Sequence, residues 1–246
     1  YGYDVTDVAA LRYRVEELTA DRVIYVVGSE QTHHFQLIFG VCTKAGYLPG
    51  RVSAQHVGYG MVLGKDGKKF STREGTAVHL DDLLDEAEQQ AAPNIALAAI
   101  KYADLSSGLQ KDYMFDAERM VATTGDTGPY LQYAHARVTQ ILRRAEAEGL
   151  TYGAVTLLDE PAEQQLALML SRFGEVVDDV AANLQPHKLC GYLYELAGAY
   201  STFYEQCPVL KSEAEVRASR LALCATTQRV LAKGLYLLGI DAPERM

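Results

Sequence analysis

The pattern of apolar residues changes once along this 246-residue sequence, and that change limits the folds that the chain can adopt. Up to about residue 80, helix-like segments alternate with short apolar runs. From about Asn94 onward, apolar residues recur with a spacing near 3.6 and no segment is convincing as a strand. The sequence therefore predicts an α/β part with a parallel sheet, followed by an all-α helix bundle.

The α/β part is predicted to contain two helices and two strands. In chain order these are a helix over residues 8–18, a strand over 22–28, a helix around 35–42, a strand over 52–63 and a tight polar turn at 65–68. Thr6 or Asp7 is suited to cap the first helix. Because the first strand is an apolar run stopped by Gly28, we expect it to be buried on both faces of a parallel sheet.

The second part is predicted to consist of amphipathic helices. They cover residues 95–105, 128–148, 162–183, 187–206 and 213–238. We place the boundary so that residues 1–92 form the first domain and residues 93–246 form the second.

Composition narrows the class of protein. A net charge of −9 excludes a chain that is basic overall, but a local basic face stays open because binding responds to nearby charges. The four cysteines form no CxxC pair and are typical of reduced thiols in a cytosolic protein, so no metal site is predicted. The sequence has neither a membrane-length apolar run nor a secretion signal, so we expect no membrane partner. Because it begins with Tyr1 rather than Met, we expect a fragment.

Ligands of an open α/β sheet bind at the carboxyl ends of its strands. The segment after the first predicted strand, residues 28–34, reads GSEQTHH and is rich in polar and ionisable side chains. A capped helix start with solvated histidines explains the same pattern. A metal pair at His33 and His34 is disfavoured, because adjacent helical side chains point about 100° apart.

A second polar segment, residues 65–75, combines four cations with glycines and small hydroxyl residues. Such a loop can fold over a polyphosphate, where lysine or arginine balances the developing negative charge. An exposed, charge-rich hairpin is the alternative, and the pattern alone does not choose between them.

The helix predicted over residues 128–148 has two distinct faces when its residues are placed about 100° apart. The core face consists of Leu131, Ala134, Val138, Ile141, Leu142 and Ala145. A neighbouring stripe consists of Tyr130, Tyr133, Arg137 and Arg144. Unpaired bases can stack on such aromatic rings while the arginines meet phosphate. Alternatively, each tyrosine is a core-edge residue whose hydroxyl reaches water.

Five segments resemble the arginyl-tRNA synthetase family. They are YDVTDVAALRYR at residues 3–14, GSEQTHHF at 28–35, IKYADLS at 100–106, YLQYAHAR at 130–137 and APERM at 242–246. The likeness extends over the whole chain. It implies a partial Rossmann-like parallel sheet from a class I catalytic domain, followed by the helical DALR-type anticodon-binding domain of that class.

The resemblance assigns substrate contacts in the α/β part. It implies that Tyr3, Asp7 and Gln31 recognise the arginine side chain. That role suits a carboxylate, which meets a planar guanidinium through short, charge-assisted hydrogen bonds. The resemblance also implies that the backbone of one strand holds the ATP adenine; its residues here are His56, Val57, Gly60 and Met61.

Residues 69–73 occupy the place of the mobile catalytic loop of class I synthetases, usually written KMSKS. The catalytic residues implied are Lys68, Lys69, Ser71 and Arg73. Thr72 replaces the second lysine of the pattern, which leaves the main cation open. In the bundle, the resemblance implies tRNA contacts by Tyr130, Tyr133, Arg137, Tyr204 and Met246, and the stripe adds Arg144.

The function implied is that of an arginine–tRNA ligase. Such an enzyme activates L-arginine with ATP and Mg²⁺, transfers it to tRNA(Arg) and carries no prosthetic group, and we expect a cytoplasmic monomer. The HIGH-type motif of the class is not found in the sequence, and the connection at residues 88–94 is shorter than usual. We therefore expect the chain to be inactive alone. A non-catalytic tRNA-binding module is one alternative. A nucleotide-binding protein with no RNA partner is another, and it requires the stripe of tyrosines and arginines to be buried.

Overall fold

The computed structural model describes residues 2–65, 67–68 and 79–246. Their packing divides them into two compact units. The first comprises the described residues up to Lys68 together with Leu109–Met114, and the second comprises residues 79–108 and Phe115–Met246. Because these units interleave along the chain, the domain boundary between residues 92 and 93 stays a prediction.

The first unit is an α/β layer built on short parallel strand pairs. Its elements are α1 (Tyr3–Glu16), β1 (Arg22–Gly28), a 3₁₀ turn (Ser29–Gln31), α2 (Thr32–Lys44), β2 (Ser53–Tyr59), β3 (Val62–Leu63) and β4 (Tyr113–Met114). Strands β1 and β2 run parallel, with Arg22 opposite Ser53 and Gly28 opposite Tyr59. Strands β3 and β4 are also parallel. The predicted α/β part is therefore confirmed.

The helices of this unit cover one face of β1. The buried core on that face comprises Leu11, Val15, Val23, Ile38, Cys42 and Val52. Side chains alternate along a strand, so Ile24 and Val26 point the other way, and they are 40% and 63% exposed. The expectation that this strand is buried on both faces is wrong, because α1 and α2 contribute to the same core cluster.

The first helix begins earlier than predicted. Helix α1 starts at Tyr3, and Gly2 is its N-cap with an extended backbone (φ −68°, ψ 155°). Thr6 and Asp7 therefore lie inside the helix, and the prediction that either one caps it is wrong. This places the Asp7 side chain on the surface of a regular helix.

The strand predicted over residues 52–63 is interrupted between β2 and β3. The Gly60 N–H donates to the Leu109 carbonyl at 2.7 Å, and the Met61 N–H donates to the Asp112 carboxylate at 2.7 Å. A Cβ at residue 60 would lie 2.5 Å from the Lys111 carbonyl, so this approach requires glycine. The same contact brings β4 beside β3, and the expectation of no strand beyond Asn94 is wrong at these two residues.

The second unit is a helix bundle, as predicted. Its helices are α3 (Leu80–Glu88), α4 (Pro93–Ser106), α5 (Ala117–Met120), α6 (Gly128–Ala147), α7 (Pro161–Ser171), α8 (Phe173–Asn183), α9 (Pro186–Gln206) and α10 (Ala214–Leu237). The helix predicted over residues 162–183 is two helices, because Arg172 caps α7 and α8 follows directly. The short α3 and α5 were not predicted.

The bundle core confirms the predicted inner face of α6. Leu131, Val138 and Ala145 are at most 1% exposed. Ala134 and Ile141 are also buried, and Leu142 packs against the same cluster. All four cysteines are buried, and burial raises the pKa of the Cys224 thiol to about 12. Among the described residues, no helix is both long and apolar enough to cross a lipid bilayer.

Candidate active site and nucleic-acid interface

A carboxylate–imidazole pair joins α1 to α2 in the first unit. Asp7 Oδ2 lies 2.7 Å from His34 Nε2, and the two side chains are 31% and 21% exposed. Since a carboxylate oxygen accepts, Nε2 carries the proton. The Tyr3 ring, one helical turn before Asp7, has its centroid 5.7 Å from that of His34. The predicted residues Tyr3 and Asp7 of α1 therefore both lie beside His34 of α2.

Gln31 lies on the adjoining 3₁₀ turn, directly after the carboxyl end of β1. It is half-buried and immediately precedes α2, whose first turn carries His34. The bond to His34 occupies only part of the acceptor capacity of the Asp7 carboxylate, which offers about four lone-pair sites. The pair therefore leaves Asp7 able to accept from a guanidinium as well.

His34 belongs to this candidate site, whereas one of the two interpretations of residues 28–34 left it as a solvated histidine at the start of a helix. Its ring is half-buried and makes an edge contact with Phe35, with centroids 5.2 Å apart. The signal was available: residue 34 is four positions before Ile38, which the apolar spacing placed on the inner face of α2. Residues four apart lie on the same side of a helix. His33 is exposed, which agrees with the interpretation that leaves the histidines solvated.

The carboxyl ends of β1 and β2 are fastened together near His56. His56 Nε2 donates to the Val27 carbonyl at 3.0 Å, and its ring stacks on Phe35 with centroids 4.9 Å apart. The Ser29 hydroxyl donates to the Tyr59 carbonyl at 2.9 Å. Val57 lies within β2, opposite Val26. These bonds hold the carboxyl ends of β1 and β2 together at the point where the polar segment of residues 28–34 begins.

The predicted adenine-binding residues Gly60 and Met61 follow this edge. Their N–H groups already have acceptors, the Leu109 carbonyl and the Asp112 carboxylate, and the Met61 carbonyl accepts from the Tyr113 N–H at 3.1 Å. An adenine at this segment would therefore use another backbone group, such as a carbonyl, or displace one of these bonds.

The turn that precedes the predicted catalytic loop is closed as expected. The Gly64 N–H donates to the Lys68 carbonyl at 2.9 Å, and Gly67 adopts φ +72°, which favours glycine. Lys68 is therefore fixed at the end of a turn. Lys69, Ser71 and Arg73 lie outside the described residues.

The start of α6 is held firmly in the second unit. The Thr127 hydroxyl caps it by accepting from the Tyr130 N–H at 3.2 Å, and the Tyr102 hydroxyl donates to Asp126 at 2.5 Å. Burial, followed by the Asp126 bond, raises the pKa of the Tyr102 hydroxyl well above its usual value. A Cβ at residue 128 would lie 2.4 Å from the Ala98 carbonyl, so only glycine allows this approach.

An open cavity of about 500 Å³ lies along α6. It is lined by Tyr133, Ala136, Arg137, Gln140, Arg143, Arg144, Ala147, Glu244, Arg245 and Met246. Four of the predicted RNA-contacting residues line it, namely Tyr133, Arg137, Arg144 and Met246. The lining contains four arginines and one glutamate, so this surface is basic although the chain carries a net charge of −9.

The predicted aromatic residues take up different positions around this cavity. Tyr133 is 46% exposed. The Arg137 guanidinium lies 4.4 Å from the ring centroid of Tyr204, which connects Tyr204 to the cavity through a cation–π contact. Tyr130 is half-buried and does not line the cavity; its ring packs against Tyr194 with centroids 5.6 Å apart. Exposure of Tyr133 argues against the alternative that required a buried stripe.

Six further residues of the cavity were not predicted: Ala136, Gln140, Arg143, Ala147, Glu244 and Arg245. Gln140 lies three positions after Arg137 and four before Arg144, so helical spacing alone could have found it. Helical spacing gives no information about Arg245, because it belongs to the C-terminal tail (residues 239–246) rather than to a helix.

Two family models match the chain. The model described as "tRNA synthetases class I (R), catalytic domain" matches residues 1–96. The model described as "DALR anticodon binding domain" matches residues 131–246. The first match includes the Tyr3–Asp7–His34 cluster, and the second includes the cavity on α6.

Curated relatives match along the whole chain. The arginine–tRNA ligase of Cutibacterium acnes is 69% identical over 258 aligned residues, which cover 100% of this chain and 46% of the relative. The arginine–tRNA ligase of Frankia casuarinae is 49% identical over 265 residues, covering 100% of this chain and 45% of the relative. The chain thus spans about half the length of the curated relatives that it matches.

Solved structures agree with the sequence matches. The arginyl-tRNA synthetase of Plasmodium falciparum superposes with a TM-score of 0.84 at 31% identity, over 100% of this chain and 45% of its own. That of Thermus thermophilus superposes with a TM-score of 0.82 at 34% identity, over 92% of this chain and 41% of its own. The chain belongs to the arginyl-tRNA synthetase family and carries the class I catalytic and DALR anticodon-binding segments of that family.

Proposed function

We propose that the protein containing this chain is an arginine–tRNA ligase, which activates L-arginine with ATP and transfers it to tRNA(Arg). In the first step an arginine carboxylate oxygen attacks the α-phosphate of ATP, an O–P bond forms, and pyrophosphate leaves. In the second step a 3′-terminal ribose hydroxyl of the tRNA attacks the activated carbonyl, and AMP leaves. Neither step needs a protein nucleophile, so the protein contributes binding, orientation and charge.

In this proposal Asp7 is the partner of the substrate guanidinium, with Tyr3 and Gln31 as further side-chain contacts. Support comes from the cluster at α1 and α2, in which His34 holds one Asp7 oxygen at 2.7 Å. The half-buried position strengthens a charge-assisted bond relative to one in bulk water. A lysine ammonium cannot reproduce the planar, forked geometry of a guanidinium.

The proposed ATP region comprises His56, Val57, Gly60 and Met61. The Val27 carbonyl and the Phe35 ring both contact the His56 ring, so its orientation is fixed. Because the N–H groups of Gly60 and Met61 are bonded within the chain, we infer that a backbone carbonyl accepts the adenine amino group.

Charge on the ATP phosphates is proposed to be offset by Lys68, Lys69 and Arg73, with Ser71 as a hydroxyl donor. Mg²⁺ would enter with the nucleotide. Within the described residues, no group of three or more His, Cys, Asp or Glu side chains is arranged to hold a metal ion. Mg²⁺ in such sites commonly binds substrate phosphates and retains several waters, which is compatible with this chain.

The cavity on α6 is proposed to receive unpaired bases of the tRNA anticodon loop. The observation that carries the proposal is that Tyr133, Arg137, Arg144 and Met246, expected from sequence to contact RNA, line one basic cavity. An exposed tyrosine offers a stacking surface, and arginines meet the phosphates between bases. Cytoplasmic location and a monomeric state stay predictions.

The proposal is tested by arginine-dependent ATP–pyrophosphate exchange, with and without tRNA(Arg), and by charging of tRNA(Arg). The assays use the longer protein that contains this chain. Two amino acids are matched controls. L-Citrulline has the shape of arginine without its positive charge, and L-lysine has the positive charge without the forked guanidinium. We expect arginine to be attached to the tRNA and neither control to be attached. Equal use of citrulline would contradict the role of Asp7, and tRNA binding without any charging would favour a non-catalytic tRNA-binding module.

A further inference from the structure

The C-terminal tail is fastened along one side of α6. The Gln132 side-chain amide donates to the Asp241 carbonyl at 2.9 Å, and His135 Nδ1 donates to the Pro243 carbonyl at 2.9 Å. Farther along α6, the Arg143 guanidinium forms an ion pair with Glu244. Three side chains of one helix therefore hold successive parts of a segment that has no regular secondary structure of its own.

The beginning of the tail is fixed separately. The Lys101 ammonium of α4 donates to the Gly239 carbonyl at 2.6 Å, and Gly239 itself adopts φ +68° where the chain leaves α10. A positive φ is readily adopted by glycine, so the chain can turn sharply at this point. The tail is thus directed from the end of α10 toward α6.

Helical geometry separates the tail-binding residues from the RNA-facing stripe. At about 100° per residue, Gln132, His135 and Arg143 fall within an arc of about 80°. Tyr133, Arg137 and Arg144 fall within a second arc of about 40°, centred about 140° away from the first. Ala136 and Gln140 lie between the two arcs. The cavity is therefore formed between the stripe on one side and tail residues 244–246 on the other.

The chemistry of the buried pair is unusual for residues that only support the core. Gln132 is 0% exposed and His135 is 2% exposed. Gln132 Oε1 and His135 Nε2 lack a hydrogen-bond partner among the described residues, which costs folding free energy. An apolar side chain would fill either position without that cost. What the polar side chains add is a pair of donors that hold two carbonyls of the tail.

We propose that Gln132 and His135 are positioning residues for RNA recognition: they latch the C-terminal tail against α6 so that Arg245 and Met246 complete the cavity that receives the anticodon loop. This inference rests on the proposed tRNA-binding function. Neither residue touches the RNA. Arg143 reinforces the latch at the surface, where its ion pair with Glu244 is more exposed.

The test uses all 246 residues and a tRNA(Arg) transcript, with the ¹³C NMR shifts of the Asp241 and Pro243 carbonyls as an independent readout, because these carbonyls accept the latch bonds. His135→Leu removes the donor, and His135→Asn retains one near the Nδ1 position. We expect His135→Leu to weaken tRNA binding about tenfold and to move the Pro243 carbonyl shift toward that of a free chain, with His135→Asn restoring most of both. Thr139→Val lies on the same side of α6, and among the described residues Thr139 bonds to its own helix and to Gln228, so this variant is the control and should change neither.

A double-mutant cycle separates positioning from general destabilisation. A chain lacking residues 242–246 should bind tRNA more weakly, and His135→Leu should weaken it no further. Additive losses would overturn the latch, as would an unchanged Pro243 carbonyl shift in His135→Leu. If the unmodified chain does not bind the tRNA, the proposed function fails and the recognition role with it, while the carbonyl shift still decides whether the latch exists.

Discussion

His34 Nε2 donates to Asp7 Oδ2 across 2.7 Å, and this single bond fixes the relative rotation of the carboxylate on α1 and the imidazole on α2. Neither side chain is fully buried, so both remain accessible to a small substrate. The carboxylate is thereby oriented before any ligand arrives. Preorganisation of this kind reduces the free energy that binding must spend on ordering side chains.

Replacing His34 with alanine should weaken the use of arginine without affecting the use of ATP. The carboxylate would lose its orienting bond but keep its charge, so we expect the KM for arginine to rise about tenfold in the longer protein. Asp7→Asn should cost more, because it removes the charge itself. Pyrophosphate exchange at varied arginine and varied ATP measures both effects. The control is His33→Ala, at an exposed position; equal losses for arginine and ATP would refute the assignment.

Replacing Tyr133 with alanine should weaken tRNA binding while leaving arginyl-adenylate formation intact. Loss of a stacked base costs about 1–3 kcal/mol, or roughly 5- to 150-fold in Kd. Tyr236→Ala is a matched control, since Tyr236 is 70% exposed and does not line the cavity. Binding of a tRNA(Arg) transcript measures the difference, and an equal Kd for the two variants would count against stacking.

Replacing Arg144 with glutamine should change the salt dependence of tRNA binding. If its guanidinium meets a phosphate, removing it reduces the slope of log Kd against log salt by about 1. Arg229→Gln, at an exposed position of α10 outside the cavity, should leave the slope unchanged. An unchanged slope in Arg144→Gln would place this residue away from the RNA backbone.

Much of the fold follows from periodicity in the sequence. The inner face of α6 was predicted correctly because apolar spacing reports directly on burial. The same signal missed the break at Arg172, since both helices have the 3.6-residue period and a single residue separates them. It also missed β4, because a two-residue strand has no period of its own. This strand is placed by the bond from the Tyr113 N–H to the Met61 carbonyl.

Residues of the candidate site could be predicted where a local pattern or the family resemblance names them, but the bonds between distant residues could not. The stripe of Tyr133, Arg137 and Arg144 lies on one helix, so helical geometry found it before the structure. The bond from His34 to Asp7 joins residues 27 positions apart, and no local pattern reports it. The bond from Gln132 to the C-terminal tail joins residues that are even farther apart in sequence, since Asp241 lies 109 positions away.

Replacing Glu163 with alanine should destabilise the helix bundle strongly. Glu163 accepts from the Arg220 guanidinium at 2.6 Å, and their side chains are 3% and 11% exposed. Breaking a buried pair leaves the other charge without compensation, which costs about 3–5 kcal/mol. Urea unfolding followed by circular dichroism measures the change. Glu16→Ala, which breaks the exposed Arg12–Glu16 pair, is the control and should have no measurable effect; equal results would contradict this account.

Acidification should release the C-terminal tail through His135. Burial lowers the pKa of this imidazole, and the bond to the Pro243 carbonyl only partly offsets that effect. A released His135 would regain an ordinary pKa of about 6.5, so protonation favours the released tail. The latch is therefore complete above about pH 6.5 and weakens as pH falls below it. The ¹³C NMR shift of the Pro243 carbonyl, which accepts the His135 bond, should move toward that of a free chain between about pH 7.5 and pH 5.5.

Other groups near the tail can be separated from this effect. The tail also carries the carboxylates of Asp241 and Glu244, and Glu244 forms an ion pair with Arg143. His135→Asn retains a donor but cannot titrate, and its Pro243 carbonyl shift should stay the same from about pH 7.5 to pH 5.5. The other five histidines remain in that variant and serve as an internal control. If the carbonyl shift of His135→Asn changed as steeply as that of the unmodified chain, another group would be responsible for the loosening.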